Sequence, residues 1–179
     1  MPCSPSSSDH LVPAEARALL ITALYDVAER SYYMPAVICE PDEVSDAEAE
    51  AGPWLSASVA FTGRFAGNLR CFVPRRLAAD MLRAFLGSDS AEAAAERLLY
   101  DAAGEFVNMA CGAWLTRFAG DSLFHLGSPV VESLPTAWSA SELAHEFGSI
   151  SLQIGDMPVV ARLTQTGRPV SAGQEGGAA

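Results

Sequence analysis

The sequence predicts an α+β protein in which two or three long helices pack on an antiparallel sheet. Several segments carry apolar residues at helical spacing, and others alternate apolar with small or polar residues, which is typical of strands. The chain has 179 residues, half of them apolar, enough for the core of one domain. We expect that domain to span residues 13–166, with flexible segments at 1–12 and 167–179.

The first two helices are predicted around residues 13–33 and from Pro74 to Gly87. Good helix formers separate the apolar residues of the first segment, which should stop near Pro35. The second segment follows a proline and precedes a glycine, an order that suits the start and end of a helix. Its apolar residues again recur at helical spacing: Leu77, Met81, Leu82, Phe85 and Leu86.

A third and longer helix is predicted from Ala91 to about Phe118. Ser90 is a suitable N-terminal cap, and Gly120 follows the last turn. An apolar stripe along this helix should face the core. Its members are Leu99, Ala103, Phe106, Ala110 and Ala113.

Two adjacent antiparallel strands are predicted at 55–61 and 69–73. Apolar residues occupy alternate positions in both, and the glycines of 63–67 suit the turn between them. Further strands are expected at 123–132 and in a hairpin over 150–163 that turns at Gly155 to Pro158, with a short helix at 141–147. The acidic stretch 41–52 has the composition of an exposed loop.

Composition excludes several functions. The net charge is −11 and all eleven basic residues are arginines, so binding to nucleic acid or to an anionic membrane is not expected. The N-terminus lacks the features of a signal peptide and no run is long enough to cross a bilayer, which predicts a cytoplasmic protein without membrane insertion. Four cysteines and three histidines are scattered along the chain, so we expect neither a structural zinc site nor a disulfide framework. No other motif in the chain resembles a metal site, and we expect no cofactor of its own.

The long third helix carries an unusual group of residues. Asp101, Glu105, Asn108 and Gly112 are spaced by four, three and four residues, which places them on one narrow face opposite the apolar stripe. We call these four residues the polar sector. Gly104 and Gly112 each cost about 1 kcal/mol against alanine inside a helix. Glycines beside an exposed polar pair would allow another surface to approach closely.

Residues 101–112, DAAGEFVNMACG, resemble the signature helix of the CheC, CheX and FliY family of chemotaxis phosphatases. That signature runs Gly-Glu, two residues, Asn-Met and then Gly. Phe61 and Gly63, with Gly67, are similar to the family's early hairpin, and Ser128-Pro-Val-Val is similar to the strand after the signature helix. The resemblance extends over roughly residues 18–163 and implies a CheC- or CheX-like fold.

The resemblance implies an activity and roles for individual residues. The substrate would be the aspartyl phosphate of a CheY-like receiver domain, with Glu105 and Asn108 as the catalytic pair. An amide such as that of Asn108 can hold a water in line for attack, and Glu105 would anchor the receiver's lysine. Asp101, Gly104 and Gly112 would contact the partner, and the receiver would supply the Mg2+.

Two further features bear on the number of sites and the assembly. CheC carries a second Glu-x-x-Asn motif in its first helix, whereas here Glu29 is followed by Tyr32, so a single CheX-like site is implied. Resemblance to CheX also implies a homodimer whose sheet continues across the interface, since an open sheet edge is a ready pairing site.

Other functions compete with this interpretation. A non-catalytic module that docks a receiver or a flagellar-switch partner would use the same fold, and a purely structural subunit would leave the polar sector unexplained. Gly-Asp-Ser-Leu at 120–123 spells the block of the GDSL esterases, but Ser122 follows a long helix and lacks a downstream Asp-x-x-His. His145 and Glu146 are interpreted as a helix-surface pair.

Overall fold

A computed structural model describes residues 13–44, 53–86, 96–135, 139–146 and 148–166 of the chain. Within these residues, four helices and seven strands are present, and the strands form one sheet whose neighbours are all antiparallel. The helices are α1 Ala14–Ser31, α2 Arg75–Leu86, α3 Glu96–Ala119 and α4 Ala140–Ala144. The strands are β1 Ala36–Cys39, β2 Trp54–Gly63, β3 Ala66–Pro74, β4 Phe124–Leu126, β5 Val130–Ser133, β6 Ser149–Ile154 and β7 Met157–Thr166.

The sheet runs in the order β1, β6, β7, β3 and β2, and both β4 and β5 pair with the outer edge of β2. The prediction that 55–61 and 69–73 are adjacent antiparallel strands is confirmed, with Leu55 opposite Val73 and Phe61 opposite Gly67. Gly67 cannot carry a side chain, because a Cβ there would lie 2.3 Å from the Thr164 carbonyl oxygen. The glycine therefore lets β7 pair closely with β3.

One face of the sheet packs against α1, α2 and α3 and forms the main core. The apolar residues of this face occupy alternate positions along each strand, because successive strand residues point to opposite sides of the sheet. In β2 the core residues are Leu55, Ala57, Val59 and Phe61, and in β7 they are Met157, Val159, Ala161 and Leu163. The antiparallel α+β architecture with long helices on the sheet is as predicted.

The opposite face carries a smaller apolar cluster under α4 and a single turn of 3-10 helix at Pro41–Glu43. The remaining strand residues supply it, with Trp54, Phe72 and Val160 buried against α4. Both faces of the central strands are therefore covered at this end of the sheet, and only the first face carries long helices.

The single strand expected at 123–132 is wrong, because the segment forms two strands. Leu126 pairs with Phe61 and Val130 pairs with Ser58, so two residues of β2 face the three residues 127–129. One extra residue in an antiparallel pair is a bulge, and Pro129 lacks the N–H that continuous pairing requires.

Other element boundaries also differ from expectation. Strand β1 was not predicted, and the turn between β6 and β7 is shorter than Gly155 to Pro158, because Ile154 already pairs with Met157. Gly155 adopts a φ of +62°, a conformation that suits glycine. The predicted α2 start moves to Arg75, because Pro74 ends β3.

Several predictions concern residues outside the described part of the chain. These are the Ser90 cap, the end of α2 at Gly87, most of the acidic loop, and the two terminal segments. The division into a domain at 13–166 and flexible ends stays a prediction.

Candidate active site

Helix α3 forms the platform of the candidate site. Its inner side is buried between the sheet and the neighbouring helices, through residues such as Phe106, Val107 and Ala110. The indole Nε1–H of Trp114 donates a buried hydrogen bond of 3.0 Å to the Ala16 carbonyl oxygen, which ties α3 to α1. The platform is therefore fixed by packing that does not involve its outer face.

The polar sector lies on that outer face. Asp101 and Glu105 are exposed, and Asn108 and Gly112 are half-buried. Glu105 and Asn108 are one turn apart, a spacing at which Cβ atoms on a helix lie about 5–6 Å from each other. Another protein can therefore reach Glu105 fully and Asn108 in part.

The side chains of the polar sector differ in their partners. Asp101 lies 3.9 Å from the Arg97 guanidinium, one turn earlier on the same helix, and both side chains are well exposed. Such surface pairs contribute little to stability. Within the described residues, neither Glu105 nor Asn108 makes a side-chain hydrogen bond or an ion pair, so both can form new contacts without breaking old ones.

The two glycines of the signature have different surroundings. Gly104 is buried, and a Cβ built there would lie 3.2 Å from Pro129 Cβ and 3.4 Å from Val131 Cγ2. Gly104 is therefore approached by β5 and the proline before it, so packing within the chain accounts for this glycine. Gly112 has only Leu126 Cδ1 within 4 Å of such a Cβ, at 3.8 Å, so space remains beside it.

A buried tyrosine at the end of α1, Tyr32, packs against Phe106, the residue after Glu105 on α3. Burial raises the pKa of the Tyr32 hydroxyl, and the negative charge of Glu105 raises it further. Sequence reasoning noted Tyr32 only as a departure from the two-site motif. The approach of α1 to α3 is a long-range contact, and no local pattern predicts it.

The remaining candidates lie elsewhere or have other partners. The two ring nitrogens of His145 lie 2.8 Å from Asp42 Oδ1 and from the Ser141 carbonyl oxygen, and Glu146 pairs with Arg162. Ser122 donates its backbone N–H to the Ala119 carbonyl oxygen at the end of α3. Among the described residues, no group of three or more His, Cys, Asp or Glu side chains is placed to hold a metal ion.

Residues 55–151, more than half of the chain, match the family model described as chemotaxis phosphatase CheX. No curated protein sequence matches the chain. CheX from Vibrio vulnificus is a similar solved structure, with 16% identity, a TM-score of 0.64, and coverage of 87% of this chain and 99% of that one. CheX from Desulfovibrio desulfuricans has 17% identity, a TM-score of 0.58, and coverage of 85% and 99%.

A third similar structure is a complex of CheX with CheY, BeF3 and Mg2+ from Borrelia burgdorferi. Its identity to this chain is 12%, its TM-score is 0.55, and the match covers 85% of this chain and 98% of that one. At these identities the structural likeness establishes the fold. Of the helices in the described residues, none is long and apolar enough to span a membrane.

Proposed function

Because the chain belongs to the CheX family of chemotaxis phosphatases, we propose that it hydrolyses the aspartyl phosphate of a CheY-like receiver domain. The observation that carries this proposal is the position of Glu105 and Asn108. They lie one turn apart on the outer face of α3, and no described residue holds either side chain. A carboxylate and an amide offered together on a rigid helix can enter a shallow site on another protein.

Asn108 is the proposed catalytic residue. Hydrolysis of an acyl phosphate needs a water in line with the bond that breaks, and positioning that water supplies most of the catalysis. The amide of Asn108 can accept a hydrogen bond from the water through its oxygen and donate another through its NH2 group. Asn108 is half-buried on α3, which restricts the motion of its side chain. The amide would therefore enter the receiver's site already oriented.

Glu105 is the proposed anchor. Its carboxylate would pair with the lysine that receiver domains keep beside the phosphoryl group, a charge-assisted contact that also fixes the register of α3 on the partner. Because Glu105 has no ion pair among the described residues, this contact costs no internal one. The role is binding, so the loss of Glu105 should act mainly on affinity.

Asp101 and Gly112 are proposed to complete the contact. Gly112 leaves open space next to Leu126, a residue that is 40% exposed, so a partner backbone can approach the helix there. Asp101 extends the negative charge of the polar sector by one turn. Gly104, which the sequence also suggested as a contact, is covered by β5 and would support the surface from beneath.

The receiver is proposed as the partner and as the source of the Mg2+ ion. The Borrelia CheX was crystallised with CheY and Mg2+, which supports a receiver as the partner of the present chain. When bound to the receiver, Mg2+ would neutralise charge on the phosphoryl oxygens. The homodimer implied by the resemblance stays a prediction.

A phosphate-release assay with phosphorylated receivers of the source organism tests the activity. Wild type should accelerate release, and Asn108→Ala should lose about 100-fold, the effect of removing one preorganised polar group. Asn68→Ala is the matched control, because Asn68 is the other asparagine of the chain and lies on β3. It should behave as wild type.

The same assay separates the two roles. Glu105→Ala should raise the KM for the phosphorylated receiver with a smaller change in kcat, and the control Glu132→Ala on the exposed edge strand should change neither. If wild type binds the receiver but leaves its dephosphorylation rate unchanged, the chain is a docking module without catalysis.

A further inference from the structure

Tyr32 lies at the junction of the three long helices. It is the residue that follows α1, and only 2% of its surface is exposed. Its ring centroid is 5.0 Å from that of Phe85 at the end of α2, in an edge-to-face arrangement, and 6.1 Å from that of Phe106 on α3. These ring contacts hold Tyr32 beside Phe106, and Phe106 follows Glu105 directly on α3.

The hydroxyl of Tyr32 is buried and has no hydrogen-bond partner among the described residues. Buried hydroxyl groups almost always have a partner, since an unpaired one forfeits its hydrogen bonds to water. A phenylalanine would fill the same space without this cost. The buried hydroxyl therefore points to a partner that joins it outside the arrangement of the free protein.

Glu105 is the ionisable group that acts on this hydroxyl. Its negative charge raises the pKa of the tyrosine, in addition to the effect of burial. Glu105 itself is exposed and has no hydrogen bond or ion pair with a described residue. The ring contact with Phe106 places Tyr32, whose hydroxyl has no partner among the described residues, beside the turn of α3 that carries Glu105.

We propose that Tyr32 is a positioning residue for Glu105, donating its hydroxyl hydrogen to the Glu105 carboxylate when a receiver covers the site. This inference rests on the proposed function, because it requires Glu105 to contact a receiver. In the free protein, water solvates the exposed carboxylate and competes with the tyrosine. A docked receiver excludes that water, and the carboxylate then needs a second donor beside the receiver's lysine.

Tyr32→Phe tests the proposal, because its effects on folding and on binding should differ. Without the unpaired hydroxyl, the free variant should unfold at the same urea concentration as wild type or at a higher one. The KM for the phosphorylated receiver should rise about tenfold, the typical effect of one hydrogen bond to a charged group, with kcat unchanged. The matched control is Tyr100→Phe, which removes the hydroxyl that donates a hydrogen bond to the Glu96 carboxylate on α3 and should leave KM unchanged.

A double-mutant cycle links the effect to Glu105. In a Glu105→Ala background, Tyr32→Phe should have no further effect on the affinity for the receiver. The proposal is overturned if Tyr32→Phe leaves KM at the wild-type value, or if it weakens binding equally with and without Glu105. A lower urea midpoint together with a similar loss in both backgrounds would identify a purely structural tyrosine.

A direct measurement of affinity keeps the test of Tyr32 separate from the test of catalysis. The Kd for a CheY-type receiver carrying BeF3 and Mg2+ is measured for all four proteins of the cycle. If wild type binds this receiver without accelerating hydrolysis, the proposed activity fails while the cycle still decides the role of Tyr32. If wild type binds no such receiver, both proposals fail.

Discussion

Helices α3 and α4 lie on opposite faces of the same sheet and are held there in different ways. Helix α3 has 24 residues and buries a continuous apolar side in the main core. Helix α4 has five residues and is held by a few apolar contacts, a cap from Ser139 and the polar contacts of His145. A surface that must stay rigid while its outer side chains meet a partner is better built on the first kind of helix.

The largest difference between the two helices should appear in the stability of core variants. Trp114→Ala should lower the free energy of unfolding by about 3–5 kcal/mol, because it leaves a cavity among aromatic rings and removes the donor to Ala16. Leu143→Ala on α4 should cost less, since its site lies in the smaller cluster. Urea unfolding of both variants checks this, and an equal or larger cost at Leu143 would contradict the comparison.

A smaller effect should distinguish the two glycines of α3. Gly112→Ala should raise the free energy of unfolding by up to about 1 kcal/mol, because alanine favours the helix and its Cβ meets only an ordinary contact. Gly104→Ala gains the same helix propensity but pushes against Pro129 and Val131. Its net effect should be clearly less favourable. Thermal or urea unfolding of the two variants measures the difference. An equal rise in the free energy of unfolding would show that Pro129 and Val131 can shift to admit the new methyl group without loss of stability.

The smallest effect is expected on the α4 side and depends on pH. Hydrogen bonding to the Ser141 carbonyl oxygen, and then to Asp42, raises the pKa of His145. Both partners are acceptors, so the doubly protonated ring satisfies both contacts. The stabilisation should be complete below the unfolded pKa of about 6.5 and be lost as pH rises through the higher folded value.

A comparison of wild type with His145→Ala measures this dependence. The urea midpoint of wild type should exceed that of the variant at about pH 5.5, and the difference should shrink by about pH 8.5. The contacts are exposed, so the difference should be small. A difference that grows with pH would show that the sign of the linkage is wrong.

The parts of the fold that sequence predicted are those with strong periodic patterns. Helix α3 has an apolar stripe over many turns, and the β2–β3 pair alternates in both strands, so local residues determine these elements. Strand β1 has only four residues, and Val37 and Ile38 are exposed at a sheet edge, so it lacks a buried alternating pattern. Its pairing with β6 depends on tertiary contacts.

The same contrast holds at the candidate site. The spacing of Glu105 and Asn108 placed them on one helical face without any structure, because a helix repeats regularly. The role of Gly104 required knowledge of the bulge that brings Pro129 and Val131 against α3, and the position of Tyr32 required the packing of α1 on α3. Both depend on contacts between segments distant in sequence.

The most direct measurement is single-turnover dephosphorylation of a receiver by saturating Asn108→Ala, with the Kd and the free energy of unfolding of the variant measured alongside. Asn108 should act on chemistry alone, so the rate in the complex should fall by about 100-fold while Kd and stability stay close to wild type. A rate in the complex equal to that of wild type would contradict the account, because the amide would then have no part in hydrolysis.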